Sequence, residues 1–209
     1  MGVYRPTTAV SGNTPAEAAL LAEFESLLAA GGSETTIVPE IQRVKFGKNM
    51  WNAVLGASAA LSRFSLREFF RPPHLEPGAT SPPAPEPPCA PNTSSEAATA
   101  AVPAAAPLLA AHTTPFLYDT LTELSTLGVA LFPAAGEVKA LDADLPTRTL
   151  ANTARLHARP DSAHVPSMLG DMLAGRPMEV EHVLGEVVRM ARAAGVAVPV
   201  SRPRSWEGC

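Results

Sequence analysis

Cysteine is nearly missing from this chain: two occur in 209 residues, Cys89 within a proline-rich stretch and Cys209 at the last position. Two such positions cannot build a disulfide framework, so the composition points to a reducing compartment. Charge is sparse at 17% and carries no basic stripe, with 16 Lys and Arg against 20 Asp and Glu for a net charge of -4. A surface of that kind cannot neutralise a run of phosphates, which excludes broad electrostatic binding to nucleic acid or to an anionic membrane. No charged-then-apolar leader opens the sequence, and no apolar run approaches the length of a membrane span. The most apolar stretch, AATAAVPAAAPLLAA, is interrupted by Pro103 and Pro107. Also missing are a GxSxG elbow, a P-loop and a GxGxxG turn. The five histidines are scattered without ligand spacing. Glu179 and His182 form one Glu-x-x-His pair, but a di-iron bundle needs a second copy and two further glutamates. No metal is therefore expected, and the setting expected is soluble and cytoplasmic.

What is abundant is alanine, leucine and proline, and their distribution divides the chain. MGVYRPTTAVSG reads as the end of an extended segment followed by a loop. NTPAEAALLAEFESLLAAGG is a punctuated helix: Thr14 and Glu17 form a capping box, Pro15 takes the first helical position, and Gly31-Gly32 stop it. Leu20, Leu21, Phe24, Leu27 and Leu28 recur at helical spacing, which predicts one buried face. ETTIVPEI is a short extended connection. From Glu40 to Phe70 no proline occurs and the whole stretch reads as helical.

Arg71 to Pro115 then changes character, to low-complexity Pro, Ala, Ser and Thr. Such a segment buries too little apolar surface to offset its ordering entropy and is expected to be a disordered insertion. A PxxP ligand for an SH3-type partner is the other reading, disfavoured because no basic residue flanks the prolines in a docking pattern. Helical periodicity resumes in FLYDTLTELSTLGVALF, where Leu117, Leu121, Leu124, Leu127 and Leu131 share a face. Further helices are predicted over Pro146 to His157 and from about Met178 to Ala194, the last ended by Gly195 with Pro199 beyond it. The fold class is all-α, with four or five substantial helices and no internal repeat.

Two stretches hold residues able to do chemistry. In KFGKNMWNAVLG, Lys48 and Asn52 are i,i+4 neighbours on one helix face. Taken alone, they read more readily as a solvated lysine and a polar residue on the outside of a core helix than as a partly desolvated cationic site beside Trp51. In VPSMLGDMLAGRPMEVEHVLGEVV, Ser167 and Glu179 flank a Gly-Arg-Pro corner. Taken alone, Ser167 serves as a helix cap, and Glu179 suits the first turn of a helix electrostatically.

Together, KNMWNAVLGASAAL and PSMLGDMLAGRPMEVEHVLGEVVRMARAAGVAVPV resemble the C-terminal helical domain of the ketopantoate reductase (2-dehydropantoate 2-reductase) family, particularly its fungal members. The first is similar to the family's Lys-x-x-x-Asn helix. The second is similar to its Ser-Met-Leu-x-Asp, Gly-Arg-Pro-x-Glu, Gly-x-x-Val and Gly-x-x-x-Pro run, with Glu179 twelve positions after Ser167. The resemblance covers Met1 to Arg71 and Pro115 to Arg202. It implies a bundle like the 6-phosphogluconate dehydrogenase C-terminal domain, made of residues 13–71 and 115–202. Residues 1–12 would be the remnant of a last Rossmann strand and loop, 72–114 the insertion and 203–209 a tail.

The resemblance further implies NADPH-dependent reduction of ketopantoate to pantoate, a step towards pantothenate. Lys48 would be the general acid that polarises the keto oxygen and protonates the alkoxide. Asn52 would bond the substrate, Ser167 would hold its carboxylate, and Glu179 would bind its hydroxyl and lie near the cofactor. Three departures stand out. The family's second asparagine falls on Gly56, the asparagine before the helix glycine is Leu184, and no Rossmann domain with a Gly-rich phosphate loop is present. The expectation is a substrate-binding and dimerisation domain, inactive alone, that forms a homodimer or pairs with a full-length relative. The alternatives are a non-catalytic helical association module and a 2-oxo-acid reductase relative with another substrate.

Overall fold

In a computed structural model, the described residues are 1–4, 12–70, 78, 80, 113–134, 140–157 and 161–198. Among them every regular element is helical and none is a strand. The proline- and alanine-rich insertion assigned to 72–114 falls almost wholly outside the described residues, as do Cys89, Pro199 and Cys209.

Helix α1 (Pro15–Ala30) begins as its sequence dictates. The Thr14 hydroxyl accepts from the Glu17 N–H at 3.3 Å, and the Glu17 carboxylate accepts from the Thr14 N–H at 2.7 Å. Pro15 opens the helix and Gly31 caps it. The expected buried face is not buried. Leu21 is covered, but Leu20 and Leu27 are each 66% exposed and Phe24 is 53% exposed. Periodicity identified the apolar stripe correctly; what covers a stripe is a tertiary matter, and no described residue covers this one. Residues 1–4, ahead of α1, and 33–38, after it, are extended. Met1 lies in parallel register opposite Ile37: its amino group donates to the Thr36 carbonyl, and its carbonyl accepts from the Val38 N–H at 2.8 Å. The two segments approach so closely that a Cβ on Gly2 would meet the Val38 carbonyl oxygen at 2.7 Å.

The predicted continuous helix from Glu40 to Phe70 is instead divided. Helix α2 (Ile41–Trp51) runs into a π-helical turn (Asn52–Gly56) and then α3 (Ala57–Ser62). Arg63 adopts a left-handed conformation with φ 62°, which ends α3 before the short α4 (Leu66–Phe69). Neither break carries a proline, and the glycine that ends the π turn, Gly56, is tolerated within a helical pattern. Glu40 caps α2, its carboxylate accepting from the Arg43 N–H at 3.0 Å.

Helix α5 (Thr113–Leu131) is the centre of the bundle. Leu117, Leu121, Leu124 and Leu127 are all at most 1% exposed, and Leu131 packs against the same core, as its periodicity predicts. Helices α2 and α6 (Leu145–His157) and the first π turn pack on α5. A close approach is at Gly128, where an added Cβ would meet Phe46 at 2.7 Å and Leu141 at 2.8 Å. Helix α7 (Ser167–Leu173) lies on α3, and a second π turn (Glu181–Gly185) leads into α8 (Glu186–Ala194), which also reaches α5. No helix among the described residues is long and apolar enough to cross a membrane.

Candidate functional site

The polar corner between Ser167 and Glu179 owes its shape to a helix ending. Gly175 is left-handed at φ 65°, its N–H bonds the Met172 carbonyl at 3.1 Å, and the Arg176 N–H reaches the Asp171 carbonyl at 2.8 Å. That pair of bonds is a Schellman motif, which a glycine at this position makes inexpensive. The Arg176 guanidinium then folds back on the Asp171 carboxylate, Nε to Oδ1 at 2.8 Å. Asp171 and Arg176 thus clamp the corner, a role that reading the motif for chemistry overlooks.

Beyond the corner, residues 176–179 run without regular structure, and Glu179 precedes the last helical stretch rather than lying in its first turn. Its carbonyl accepts from the Val183 N–H at 2.9 Å. Ser167 is the first residue of α7, whose N-cap is Pro166, and no side chain caps that end. The capping explanation for Ser167 therefore does not hold. Its hydroxyl is exposed, as are the Lys48 ammonium on the last turn of α2 and the Glu179 carboxylate; Asn52, opening the first π turn, is half-buried. None of these four side chains bonds to another described residue, so all four are available to a ligand.

The elements that carry them converge. The first π turn packs against both α7 and the second π turn. The Asn49 side chain donates to the Val183 carbonyl at 3.2 Å, which ties α2 to the second π turn. On the other flank of α2, the Trp51 indole N–H donates to the Thr153 hydroxyl at 3.0 Å, fixing α2 to α6. At about 100° per residue, Lys48 and Asn52 lie between those two ties, on the face left over. Both π turns end in glycine, Gly56 and Gly185. A π turn places one extra residue in the helix, re-aims the side chains around it, and occurs disproportionately at functional sites. Two of them in contact mark this end of the bundle. Neither was read from the sequence, because the phase shift that one extra residue makes is too small to recognise in stretches this short. Among the described residues no three His, Cys, Asp or Glu side chains gather as a metal site would require.

The chain is thus an all-α domain with a set of unpaired polar side chains on elements joined through two π turns. The family model described as "Ketopantoate reductase PanE/ApbA C terminal" matches residues 92–202, just over half of the chain, and the chain belongs to that family. Ser167 and Glu179 fall inside the match; Lys48 and Asn52 lie ahead of it. The crystal structure of 2-dehydropantoate 2-reductase from Methylococcus capsulatus is similar in fold, with a TM-score of 0.56 and 20% identity over 91% of this chain. The likeness takes in 44% of that protein, so the chain spans less than half its length. No curated protein matches the chain by sequence.

Proposed function

We propose that this domain forms the substrate side of an NADPH-dependent reductase of 2-dehydropantoate, working in the cytoplasm. The observation that carries the reading is the unpaired state of Lys48, Asn52, Ser167 and Glu179, with α2, the first π turn and α7, which carry the first three, in contact. Lys48 supplies the positive charge and proton that a carbonyl oxygen needs as it becomes an alcohol oxygen. Asn52, one turn along, donates to the same end of the substrate. Ser167 donates to the substrate carboxylate, and Glu179 accepts from its hydroxyl.

The dinucleotide itself does not fit the described residues. They contain no strand-to-helix glycine turn that would cradle a pyrophosphate. On this reading a separate nucleotide-binding domain faces Lys48, with Glu179 at the junction. The uncovered α1 stripe of Leu20, Phe24 and Leu27, beside the parallel pairing of Met1 and Ile37, is where it docks.

The test is to assay this chain with NADPH and ketopantoate, alone and fused to the nucleotide-binding domain of a two-domain relative. The isolated chain is expected to be inactive. The fusion is expected to turn over, with Lys48→Ala lowering kcat about 100-fold or more. Robust turnover by the isolated chain, or a fusion indifferent to Lys48→Ala, defeats the proposal.

Two observations favour narrower variants. The exposed α1 stripe is equally suited to self-association, which makes the domain an association module, either as a homodimer or with a full-length relative. Gly56 is followed by open space where a side chain would project, so the pocket would admit a bulkier 2-oxo acid. A substrate panel on the fusion separates the second variant from ketopantoate reduction.

A further inference from the structure

A cleft of about 510 Å³ lies on the α6 flank of Trp51, away from the four residues above. It is lined by Trp51, Thr153, His157, Asp161, Ser162 and His164, among others. His157, the last residue of α6, is 3% exposed, and its Nδ1 shares a 2.9 Å hydrogen bond with the Ser162 hydroxyl. The His164 ring lies 5.5 Å from the His157 ring and 5.8 Å from the Trp51 ring, edge-on to the indole. Two residues later the chain passes through the fully buried Pro166 into Ser167 and α7. Two imidazoles, an indole and one hydroxyl thus hold the 161–166 segment down.

We propose that His157 and His164 form a proton-operated latch. It holds the 161–166 segment, and with it the start of α7, against Trp51 while the His157 imidazole is neutral. It releases the segment when His157 takes up a proton. Among the described residues, the ionisable side chains lining the cleft are His157, Asp161 and His164; Trp51 from α2 and Thr153 from α6 do not titrate. Burial, and then the neighbouring His164, hold His157 below its ordinary 6.5. The charged side chains of the other helices packed on α6 are Arg67 and Glu68 on α4 and Asp119 and Glu123 on α5, and α6 itself carries Arg148 and Arg155. A charged His157 would sit buried against a second imidazole, which the closed latch disfavours and water accepts.

The sign follows from linkage. The open state binds the proton more readily than the closed one, so the latch is most stable above pH 6.5. Falling pH then favours opening by up to about tenfold per unit, until closed-state His157 also titrates. Because Ser167 begins the helix that the latch anchors, opening would displace it. The latch itself does not depend on the reductase reading.

Hydrogen exchange of the full chain, corrected for intrinsic rates, tests the idea on peptides covering 161–173. Protection at pH 7.5 is expected to fall about tenfold at pH 5.5 while α5 stays protected. His157→Gln, which can still bond Ser162 but cannot charge, is expected to stay protected at both. Equal protection of the parent at both pH values overturns the latch. So does simultaneous loss of α5, or an identical loss in His157→Gln. Should His157→Gln be unprotected already at pH 7.5, the parent decides by NMR. A His157 ring titration below 6.5 that coincides with opening supports the latch. A midpoint at or above 6.5, or one that does not coincide with opening, overturns it.

Discussion

Arg43 shows how much one side chain can hold. It is 9% exposed, and its guanidinium donates to the Phe132 carbonyl at 2.5 Å and the Pro133 carbonyl at 2.9 Å. It lies 5.8 Å over the Phe132 ring and 3.6 Å from the Glu40 carboxylate, itself 2% exposed and capping α2. Those carbonyls end the central helix, so this one cation joins the start of α2 to the end of α5. Arg43→Met is expected to cost about 3 kcal/mol, because a buried carboxylate and two carbonyls lose their partner together. Urea unfolding with an unchanged slope would measure it; a loss under 1 kcal/mol would show that the carbonyls find water instead. Nothing in the sequence marked Arg43 or Glu40. Their importance depends on residues 132 and 133, some ninety positions away. The clamp of Asp171 and Arg176, by contrast, is local and sits within a motif that was visible.

At the scale of elements, two glycines in neighbouring helices should respond oppositely to the same change. At Gly56 an added Cβ meets nothing within 4 Å, so Gly56→Ala is expected to raise stability by about 0.5–1 kcal/mol through helix propensity. At Gly128 the Cβ would meet Phe46 at 2.7 Å and Leu141 at 2.8 Å, so Gly128→Ala is expected to lower it by about 1–3 kcal/mol. Thermal melts of the two variants check the signs, and a matching sign in both would refute the packing account. Leucines read from the same kind of pattern divide in the same way. Leu124→Ala should cost about 2–5 kcal/mol, because Leu124 is 1% exposed in the central helix. Leu27→Ala on α1 should stay within about 0.5 kcal/mol, because Leu27 is 66% exposed. Helical spacing predicted both stripes equally well. It specifies which residues share a face, and it is silent on whether a partner surface exists.

The described residues form a packed bundle beside an uncovered apolar stripe on α1, and that asymmetry yields its own prediction. Replacing Leu20, Phe24 and Leu27 with glutamine should leave the melting temperature nearly unchanged while reducing self-association seen by size exclusion. A large drop in melting temperature would mean that the stripe is covered within the chain itself.

The sequence by itself determined the helical class, the caps of α1, the leucine face of α5, and the polar residues worth watching. Those features depend on spacing, on capping side chains and on the conformational freedom of glycine, all of which act within a few residues. Only the tertiary structure decided where α2 gives way to a π turn, that two such turns meet, and that Ser167 is free rather than a cap. The covering of the α5 stripe, the exposure of the α1 stripe, and the burial of Arg43 and His157 belong with these. Each depends on what a distant segment places opposite, and that information enters only when the helices pack.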